Sequence, residues 1–454
     1  MRIIVVGDGK VGHTLAKNLS REEYDVTIID QSDTALRRSE DTLDVLCVQG
    51  SGADAKTLVK AGVREADILI AVTAGDEVNM LCCLIAKRLG AKFTIARVRD
   101  PEYNESLSIL QQELGIDLTI NPERATALEI SRLLRFPFAE DIESFARGAV
   151  EMVGFHVHED DLLVGMSLKA LPKKHPGLPQ VLYCAVERDD EIIIPNGDFI
   201  IQPKDRLHVA SDLVTITAYF RFLGKHSLKI KNVMLLGGGR VSYYLTKMIL
   251  PMGFRVSIIE MNEERAEKLS ELLPEVNVIC GDGSDQELLD QEGLAEMDAF
   301  IAICNRDEEN LMMGLYALSV DVPKVIVKNS RITFADLFGD LGLDSIISPN
   351  AITSDVILRY VRAHTGTESI AVEKLYRLMD GKAEALEFVI SKDAPYLGIP
   401  LKDLQRRKNS LIAAIVRNKH VIIPFGNDTI EAGDIVIVMV RDSGISDLSE
   451  VIRP

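Results

Sequence analysis

The 454-residue chain lacks any long apolar run, and this absence argues against a membrane-spanning helix. No segment approaches the ~18 consecutive apolar residues that such a helix needs. The N-terminus also lacks the layout of a secretory signal peptide, because a strand-like segment and a glycine turn begin at once. We therefore expect a cytoplasmic chain that reaches a membrane only through a partner.

The chain also lacks an excess of positive charge. It contains 51 lysines and arginines against 69 aspartates and glutamates, which gives a formal net charge of −18. A nucleic-acid-binding surface needs a basic footprint for the phosphates, so we expect no nucleic-acid partner. The acidic surplus is interpreted as an aid to solubility.

Cysteine and histidine are scarce and scattered, with six and eight copies. They form no C-x-x-C pair and no recognisable ligand spacing, so we predict no metal site. Reduced cysteines in the core of a cytoplasmic protein are the expectation. The six positions are Cys47, Cys82, Cys83, Cys184, Cys280 and Cys304.

The first 30 residues carry the clearest functional signal. An apolar, β-branched run at residues 3–6 is followed by a G-x-G-x-x-G turn, an amphipathic helix pattern and a second β-branched run that ends in Asp30. The glycines permit a tight turn, close approach of a pyrophosphate and close packing of the helix. Asp30 lies 30 − 12 = 18 residues after the last glycine, near the ~20 at which a carboxylate meets ribose hydroxyls. The predicted contacts are Gly7, Asp8, Gly9, Lys10, Val11, Gly12 and Asp30.

This pattern predicts a nucleotide or dinucleotide site. The alternative is a βα turn that needs glycines but holds no phosphate. An acid at position 30 disfavours a ribose 2′-phosphate, so NAD(H) is favoured over NADP(H) for this site.

Strand-like and helix-like segments alternate up to about residue 98, which predicts a parallel, doubly wound sheet. Ligands bind at the carboxyl ends of the strands in such sheets. Those ends carry Gly52 in the loop at residues 49–54, then Thr73 and Ala74, and then Arg97. Thr73 would offer its hydroxyl or the following amide, and Arg97 would meet phosphate. The alternative roles are strand-end capping and a surface ion pair.

Residues 148–221 have a different character, with short strand runs separated by turn residues. Residues 195–198 read Pro-Asn-Gly-Asp and predict a hairpin turn. This segment indicates a small domain that is too poor in acid and base candidates to be a catalytic lobe.

The whole arrangement then repeats with an offset of 230, as Gly237 and Glu260 follow Gly7 and Asp30. A period this long indicates a tandem duplication, because solenoid repeats have periods of about 20–50 residues. Ser242 replaces the third glycine and should space the helix slightly from the sheet. Lys328 takes the place of Arg97, so we expect a second site of weaker or different preference. Its predicted contacts are Gly237, Gly238, Gly239, Arg240, Val241, Glu260, Cys304 and Asn305, with Lys328 as a further candidate.

The predicted fold class is therefore α/β, a tandem duplication of a Rossmann-like doubly wound domain plus a small α+β domain. Helices near residues 125–134 and 352–361 follow the two nucleotide domains, and each has an apolar face. They pack either on their own domain or on a neighbouring subunit. The predicted domains are 1–138, 139–222, 229–364 and 370–454.

This order of domains resembles the TrkA family, the regulatory subunits of Trk-type bacterial potassium uptake systems. The nucleotide domains resemble RCK (KTN) domains, and the small ones resemble the RCK C-terminal domain. The match is carried by residues 1–12, Asp30, 49–54, 71–79 and 96–97, by 237–242, Glu260, 281–285, 302–310 and Lys328, and by 165–168 and 398–401.

The resemblance implies NAD(H) as ligand, often with ATP or ADP. It also implies a homo-oligomer, a dimer or a tetrameric ring, on the inner face of the cell membrane. The partner would be a membrane-embedded potassium-translocating subunit similar to TrkH or TrkG, gated by changes in ring shape.

The rival hypothesis is an NAD-dependent oxidoreductase. Hydride transfer needs an acid or base beside the nicotinamide. His13 lies in the first turn of the phosphate helix, and His208 and His364 lack patterned partners. We therefore expect a binding module without catalytic residues.

Overall fold

The protein is described from a computed structural model. It describes residues 1–103, 107–136, 139, 141–189, 191–225, 230–330, 341–343, 345–364, 372–378, 382–441, 445 and 447–453. Within these residues the chain forms two six-stranded parallel sheets, two five-stranded antiparallel sheets and one two-stranded ribbon. The predicted α/β class with a tandem repeat is confirmed.

The first parallel sheet has the order β3-β2-β1-β4-β5-β6, so successive strands are added first on one side of β1 and then, from β4 onward, on the other. Ligands bind at such a switch point in doubly wound sheets. Its strands are β1 Arg2–Val6, β2 Asp25–Asp30, β3 Leu46–Gln49, β4 Ile68–Ala71, β5 Phe93–Arg97 and β6 Leu118–Ile120. Its helices are α1 Lys10–Arg21, α2 Asp33–Thr42, α3 Ala55–Lys60, α4 Asp76–Leu89, α5 Leu107–Leu114 and α6 Pro122–Arg135.

The first small domain is an antiparallel sheet with the order β10-β9-β11-β8-β7. Its elements are β7 Asp141–Phe145, β8 Val150–His156, α7 Leu171–Lys174, β9 Leu182–Arg188, β10 Glu191–Ile193, β11 Arg206–Ser211 and α8 Leu213–Phe222. Strands β9 and β10 pair with Glu191 opposite Arg188, so the hairpin connection lies between these two residues. A turn does form at the segment predicted as a hairpin turn, residues 195–198, since the Phe199 N–H donates to the carbonyl of Asn196 at 3.0 Å. The prediction is wrong in making it a hairpin, because the segment follows the end of β10.

The second parallel sheet repeats the first, with the order β14-β13-β12-β15-β16-β17. Its strands are β12 Asn232–Leu236, β13 Arg255–Glu260, β14 Asn277–Cys280, β15 Ala299–Ala302, β16 Lys324–Lys328 and β17 Ile346–Ile347. Its helices are α9 Arg240–Ile249, α10 Glu263–Leu272, α11 Gln286–Gln291, α12 Asp307–Ser319 and α13 Pro349–Ala363.

The second small sheet has the order β18-β19-β23-β21-β22, and β20 pairs with β24 in a separate ribbon. The strands are β18 Val372–Leu378, β19 Ala383–Val389, β20 Gln405–Arg406, β21 Ser410–Arg417, β22 His420–Ile422, β23 Ile435–Val440 and β24 Ile452–Arg453. The two small domains share one buried cluster, in which Met152 and Ala185 join Ala414 and Met439.

The helices α6 and α13 each pack against the other copy of the repeat. Ile357 and Leu358 of α13 belong to the buried cluster of Leu15 on α1. Ile130 of α6 belongs to the cluster of Leu245 on α9. Neither helix is therefore confined to its own domain, and the neighbour it contacts is a second copy within the same chain. Duplication supplies this partner internally.

The cysteines occupy different environments. Cys82, Cys83 and Cys184 are buried, whereas Cys280 is exposed and so is no core residue. Among the residues described, no helix has both the length and the apolarity to cross a bilayer.

Candidate nucleotide-binding site

A cavity of about 910 Å³ lies between the two parallel-sheet units and is lined by both of them. Its walls therefore bring the two predicted sites together around one volume. The first copy contributes Gly7, Gly9, Lys10, Val11, Asp30, Val72, Thr73, Ala74, Arg97 and Arg99. The second copy contributes Gly239, Arg240, Val241, Arg265, Ile303, Asn305, Lys328 and Ser330, and the starts of α6 and α13 add Pro122, Glu123, Thr126, Pro349 and Asn350.

Several predicted contacts lie outside this lining. These residues are Asp8, Gly12, Gly52, Gly237, Gly238, Glu260 and Cys304. Sequence reasoning missed Arg99, Arg265 and the helix starts. Arg265 has alanine at the corresponding position of the first copy, so the repeat gave no signal for it.

The glycines of the first loop serve different purposes. Gly7 has a φ of +102°, which favours glycine, and it lies at the turn out of β1. A Cβ on Gly12 would lie 1.8 Å from the carbonyl oxygen of Gly7, and one on Gly52 would lie 2.2 Å from Cγ1 of Val6. A Cβ on Gly9 would meet nothing within 4 Å. Gly12 and Gly52 are therefore packing positions, whereas Gly9 borders open space where a ligand has room.

The carboxylate of Asp30 is held by the loop but keeps acceptor capacity. The Asp8 N–H donates to Oδ2 at 2.6 Å, and the Ser32 N–H donates to Oδ1 at 2.8 Å. A carboxylate has about four lone-pair sites. Among the described residues no other hydrogen bond to Asp30 is formed, so about two acceptor sites remain on a side chain that lines the cavity. They match the two hydroxyl donors of a ribose.

We predict that Asp30→Ala weakens binding of NAD+ by about 1–3 kcal/mol, because two charge-assisted hydrogen bonds are lost. Isothermal titration calorimetry on the full chain measures this change. Glu260→Gln is the matched control, since Glu260 is the repeat equivalent but does not line the cavity. An unchanged dissociation constant for Asp30→Ala would remove this residue from the site.

The ends of β4 and β5 are tied together by a buried asparagine. The N–H and hydroxyl of Thr73 both donate to Oδ1 of Asn79, at 2.8 and 2.7 Å. Nδ2 of Asn79 donates to the carbonyls of Thr73 and Arg97, at 3.1 and 2.9 Å. Asn310 makes the equivalent bonds to Cys304 and Lys328 in the second copy. These contacts favour the strand-end capping role for Thr73 over donation to a ligand.

Positive charge predominates on the cavity wall. The basic side chains outnumber the acidic ones, which are Asp30 and Glu123. Burial lowers the pKa of Arg97 to about 10 and also lowers the pKa of Lys328. Within the described part of the chain, Nε of Arg97 is buried and has no hydrogen-bond partner. Desolvated cations of this kind are stabilised by an anion, and a polyphosphate would supply one. The basic residues are Lys10, Arg97, Arg99, Arg240, Arg265 and Lys328.

Polar contacts join the two copies beside the cavity. Arg240 of the second glycine loop pairs with Asp100 at 3.2 Å. The hydroxyl of Tyr244 on α9 donates to the carbonyl of Arg99 at 3.2 Å and accepts from Nδ2 of Asn121 at 3.0 Å. A ligand that touches Arg99 or Arg240 therefore also touches the interface between the copies.

A buried polar cluster lies beneath the first loop. The Ser39 hydroxyl donates to Oδ2 of Asp8 at 2.7 Å, and Nδ1 of His13 lies 2.9 Å from Oγ of Ser39. Burial lowers the pKa of His13, so its ring is neutral at pH 7. Oδ1 of Asp8 is buried and lacks a hydrogen-bond partner among the described residues. The second copy has glycine, tyrosine and leucine at these three positions, so the cluster belongs to the first copy.

This cluster gives a pH-dependent prediction. Burial raises the pKa of Asp8 above 3.8, although the hydrogen bond from Ser39 opposes the shift. As the pH rises through 3.8 the unfolded chain loses its proton first, so the free energy of unfolding falls until the raised pKa is passed. Asp8→Asn, which stays neutral, should be more stable than the original chain at pH 7, because no charge is then buried. The gain should vanish on acidification.

Urea denaturation at several pH values measures this difference. Asp44→Asn, at an exposed position, is the control and should leave the pH profile nearly unchanged. A stability gain for Asp8→Asn that does not depend on pH would contradict the raised pKa of the buried Asp8 carboxyl.

The candidate acid and base groups on the cavity wall are carboxylates and amines. None of the described residues around the cavity is a histidine. The described part of the chain also contains no group of three His, Cys, Asp or Glu residues suited to a metal ion. The predominance of basic side chains makes the cavity wall electrostatically suited to an anionic ligand.

Comparison with known proteins identifies the family to which the chain belongs. The TrkA-N domain family matches residues 3–122 and 233–349, and the TrkA-C domain family matches 152–224 and 385–453. The Trk system potassium uptake protein TrkA homolog 1 of Methanosarcina mazei is 33% identical across 100% of both chains. The chain belongs to the TrkA family. TrkA of Vibrio alginolyticus is 34% identical over 100% of this chain and 99% of its own.

The fold of this TrkA family member also resembles solved structures. The GsuK channel bound to NAD matches with a TM-score of 0.63 and 16% sequence identity. The match covers 97% of this chain and 76% of the channel chain. At this identity the likeness concerns the fold. The resemblance to the TrkA family stated from the sequence is confirmed.

Proposed function

We propose that the chain is a nucleotide-sensing regulatory subunit that gates a membrane potassium transporter of the Trk type. The observation that carries this proposal is the cavity, because both glycine loops and basic residues from both copies surround it. A bound polyphosphate would neutralise charges on both copies at once. The names of the full-length relatives, which are Trk potassium uptake proteins, supply the transport context.

The proposed ligand is NAD(H), with ATP or ADP as further ligands. Asp30 would accept the ribose hydroxyls, the turn at Gly9 would admit the pyrophosphate, and Arg97 would meet phosphate charge. The GsuK channel, which shares the fold, is described in a NAD-bound form. The proposed contacts are Gly7, Gly9, Lys10, Val11, Asp30, Ala74 and Arg97 of the first copy and Gly239, Arg240, Val241, Asn305 and Lys328 of the second.

Gating would follow from a shift between two arrangements of the copies. A ligand changes such an equilibrium only by binding one arrangement more tightly than the other. Contacts between the copies at the cavity edge, such as the ion pair of Arg240 with Asp100, would be weakened or rearranged by a bound phosphate that attracts the arginine. The nucleotide need not be consumed.

The proposed assembly is a homo-oligomer, a dimer or a tetrameric ring, on the cytoplasmic face of the membrane. Its partner would be a potassium-translocating subunit similar to TrkH or TrkG. The domain boundaries 1–138, 139–222, 229–364 and 370–454 remain our proposal.

The test uses a bacterial strain that lacks its own TrkA and therefore takes up rubidium poorly. We expect the chain to restore uptake, and Asp30→Ala to change the dependence of uptake on the cellular NADH level. Mass spectrometry of ligands released from the freshly purified chain should detect NAD(H). Absence of any nucleotide, or steady turnover of NADH with a co-substrate, would contradict the proposal and favour the oxidoreductase hypothesis.

A further inference from the structure

The two copies differ at the position where a ribose would lie. Ser32 begins α2, and its side chain accepts from the N–H of Ala35 at 3.3 Å. Asn262 begins α10, and its side chain accepts from the N–H of Arg265 at 2.9 Å. Ala35 and Arg265 therefore occupy the same helical position in the two copies. An uncharged methyl group in the first copy is replaced by a guanidinium in the second.

The carboxylate of the second copy has no acceptor capacity left. Oε2 of Glu260 accepts from the N–H of Gly238 at 2.8 Å, and Oε1 accepts from the N–H of Asn262 at 2.8 Å. Nη1 of Arg265 lies 3.2 and 3.3 Å from these two oxygens. All of the about four lone-pair sites are then engaged. Asp30 keeps about two, so the copies cannot recognise a ribose in the same way.

The solvent exposure of Glu260 and Arg265 agrees with this difference in ribose recognition between the copies. Glu260 is only 6% exposed and does not line the cavity. The side chain of Arg265 is 54% exposed and does line it. The contacts of Arg265 with Glu260 use only Nη1, so Nε and Nη2 can donate to a ligand. The second copy presents donors and positive charge where the first presents acceptors and negative charge.

We call the part of the cavity lined by each copy a half-site; the second one contains Gly239, Arg240, Val241, Arg265, Asn305 and Lys328. We propose that this second half-site takes a nucleotide that carries a phosphate on its ribose, such as a 2′-phosphorylated dinucleotide. This inference rests on the proposed nucleotide-binding function and names the ligand class of one half of the cavity. An acid with free acceptor sites binds the hydroxyls of an unmodified ribose, whereas a nearby arginine accommodates a 2′-phosphate. In the second copy the acceptor sites of Glu260 are occupied, and Arg265 is the group that lines the cavity. Planar guanidinium groups suit phosphate because they donate two parallel hydrogen bonds. Arg265 also lies between the phosphate and Glu260, so the buried carboxylate is screened.

The experiment is calorimetric titration of the full chain with NADP+ and, separately, with NAD+. We expect the original chain to bind NADP+ through its second half-site. Arg265→Ala should weaken NADP+ binding about tenfold or more, the loss expected for a charge-assisted pair, and should weaken NAD+ binding clearly less, because NAD+ lacks the ribose phosphate. Arg265→Lys should retain part of the NADP+ affinity because the charge remains. Thermal unfolding of each variant checks that the fold persists.

The reciprocal variant is Ala35→Arg, which gives the first copy the arginine of the second. It should weaken NAD+ binding by pairing with Asp30. NAD+ that fills both half-sites with no binding of NADP+, or equal NADP+ affinity of the original chain and Arg265→Ala, would overturn this inference alone. Failure of every nucleotide to bind the original chain would overturn the proposed function as well.

Discussion

Gly12→Val is expected to lower the free energy of unfolding by about 3 kcal/mol and to abolish binding at the first half-site. Helix α1 crosses the glycine turn so closely that a Cβ on Gly12 would lie 1.8 Å from the carbonyl oxygen of Gly7. Valine adds two further methyl groups on a buried face, and overpacking of this kind costs about 1–3 kcal/mol or more. The clash between the valine side chain and the backbone of Gly7 can be relieved only if α1 moves away from β1. That movement displaces the N–H groups proposed to meet the phosphates.

Gly9→Ala is the matched control, because it places a methyl group in the same loop where nothing lies within 4 Å. Its stability should stay within about 1 kcal/mol of the original chain, the cost of alanine at the start of a helix. Its nucleotide affinity should still fall, since the methyl group occupies space needed by the pyrophosphate. Urea denaturation and calorimetry measure the two quantities separately. Equal stability of Gly12→Val and the original chain would contradict the packing role.

Arg362→Met is expected to destabilise the chain by about 3–5 kcal/mol, the usual effect of removing one partner from a buried ion pair. The guanidinium of Arg362 on α13 is 2% exposed and joins three parts of the molecule. It donates to Glu22 after α1 at 2.9 and 2.8 Å, and to Glu384 on β19 at 2.8 and 2.9 Å. Burial opposes the charge, but the bonds from Glu384 and Glu22 outweigh it and raise the pKa of Arg362.

Replacement by methionine preserves much of the volume and removes the charge from between two carboxylates. The control is Arg37→Met, which removes a surface pair with Asp33 at 2.8 Å on α2. That pair is exposed on both sides, so its loss should cost less than about 1 kcal/mol. Similar small effects for both variants would contradict the view that Arg362 anchors α13 to the first copy.

Much of the site could be predicted from local sequence, because its parts follow short-range rules. The turn at Gly7, the strand before it and the acid at Asp30 belong to one local sequence unit, and Gly7 and Asp30 both line the cavity. The offset of 230 also located the second loop correctly. Glycine spacing did not separate the roles of Gly9 and Gly12. The two roles differ because a Cβ on Gly12 would meet the backbone of Gly7, whereas a Cβ on Gly9 would meet open space.

The remainder depends on long-range packing. The apolar face of α13 shows that the helix needs a partner, but only the tertiary structure identifies α1 as that partner. The repeat predicted Glu260 as the second-copy equivalent of Asp30, in a site of weaker or different preference. Five residues later the copies differ, with Ala35 in the first and Arg265 in the second. Arg265 occupies acceptor sites of Glu260, which does not line the cavity. The prediction of a hairpin at residues 195–198 failed because the composition of this loop indicates a turn but does not show which strands the turn connects.

The most direct test of nucleotide-regulated gating is potassium flux into liposomes that contain the membrane subunit together with this chain. Flux is measured while NADH is titrated, and NADH is assayed at the end. We expect flux to change with NADH at the concentrations where calorimetry finds binding, with the NADH recovered intact. Asp30→Ala should shift that dependence to higher NADH. Flux that ignores NADH at saturating occupancy, or NADH consumed in proportion to flux, would contradict a regulatory site between the two copies.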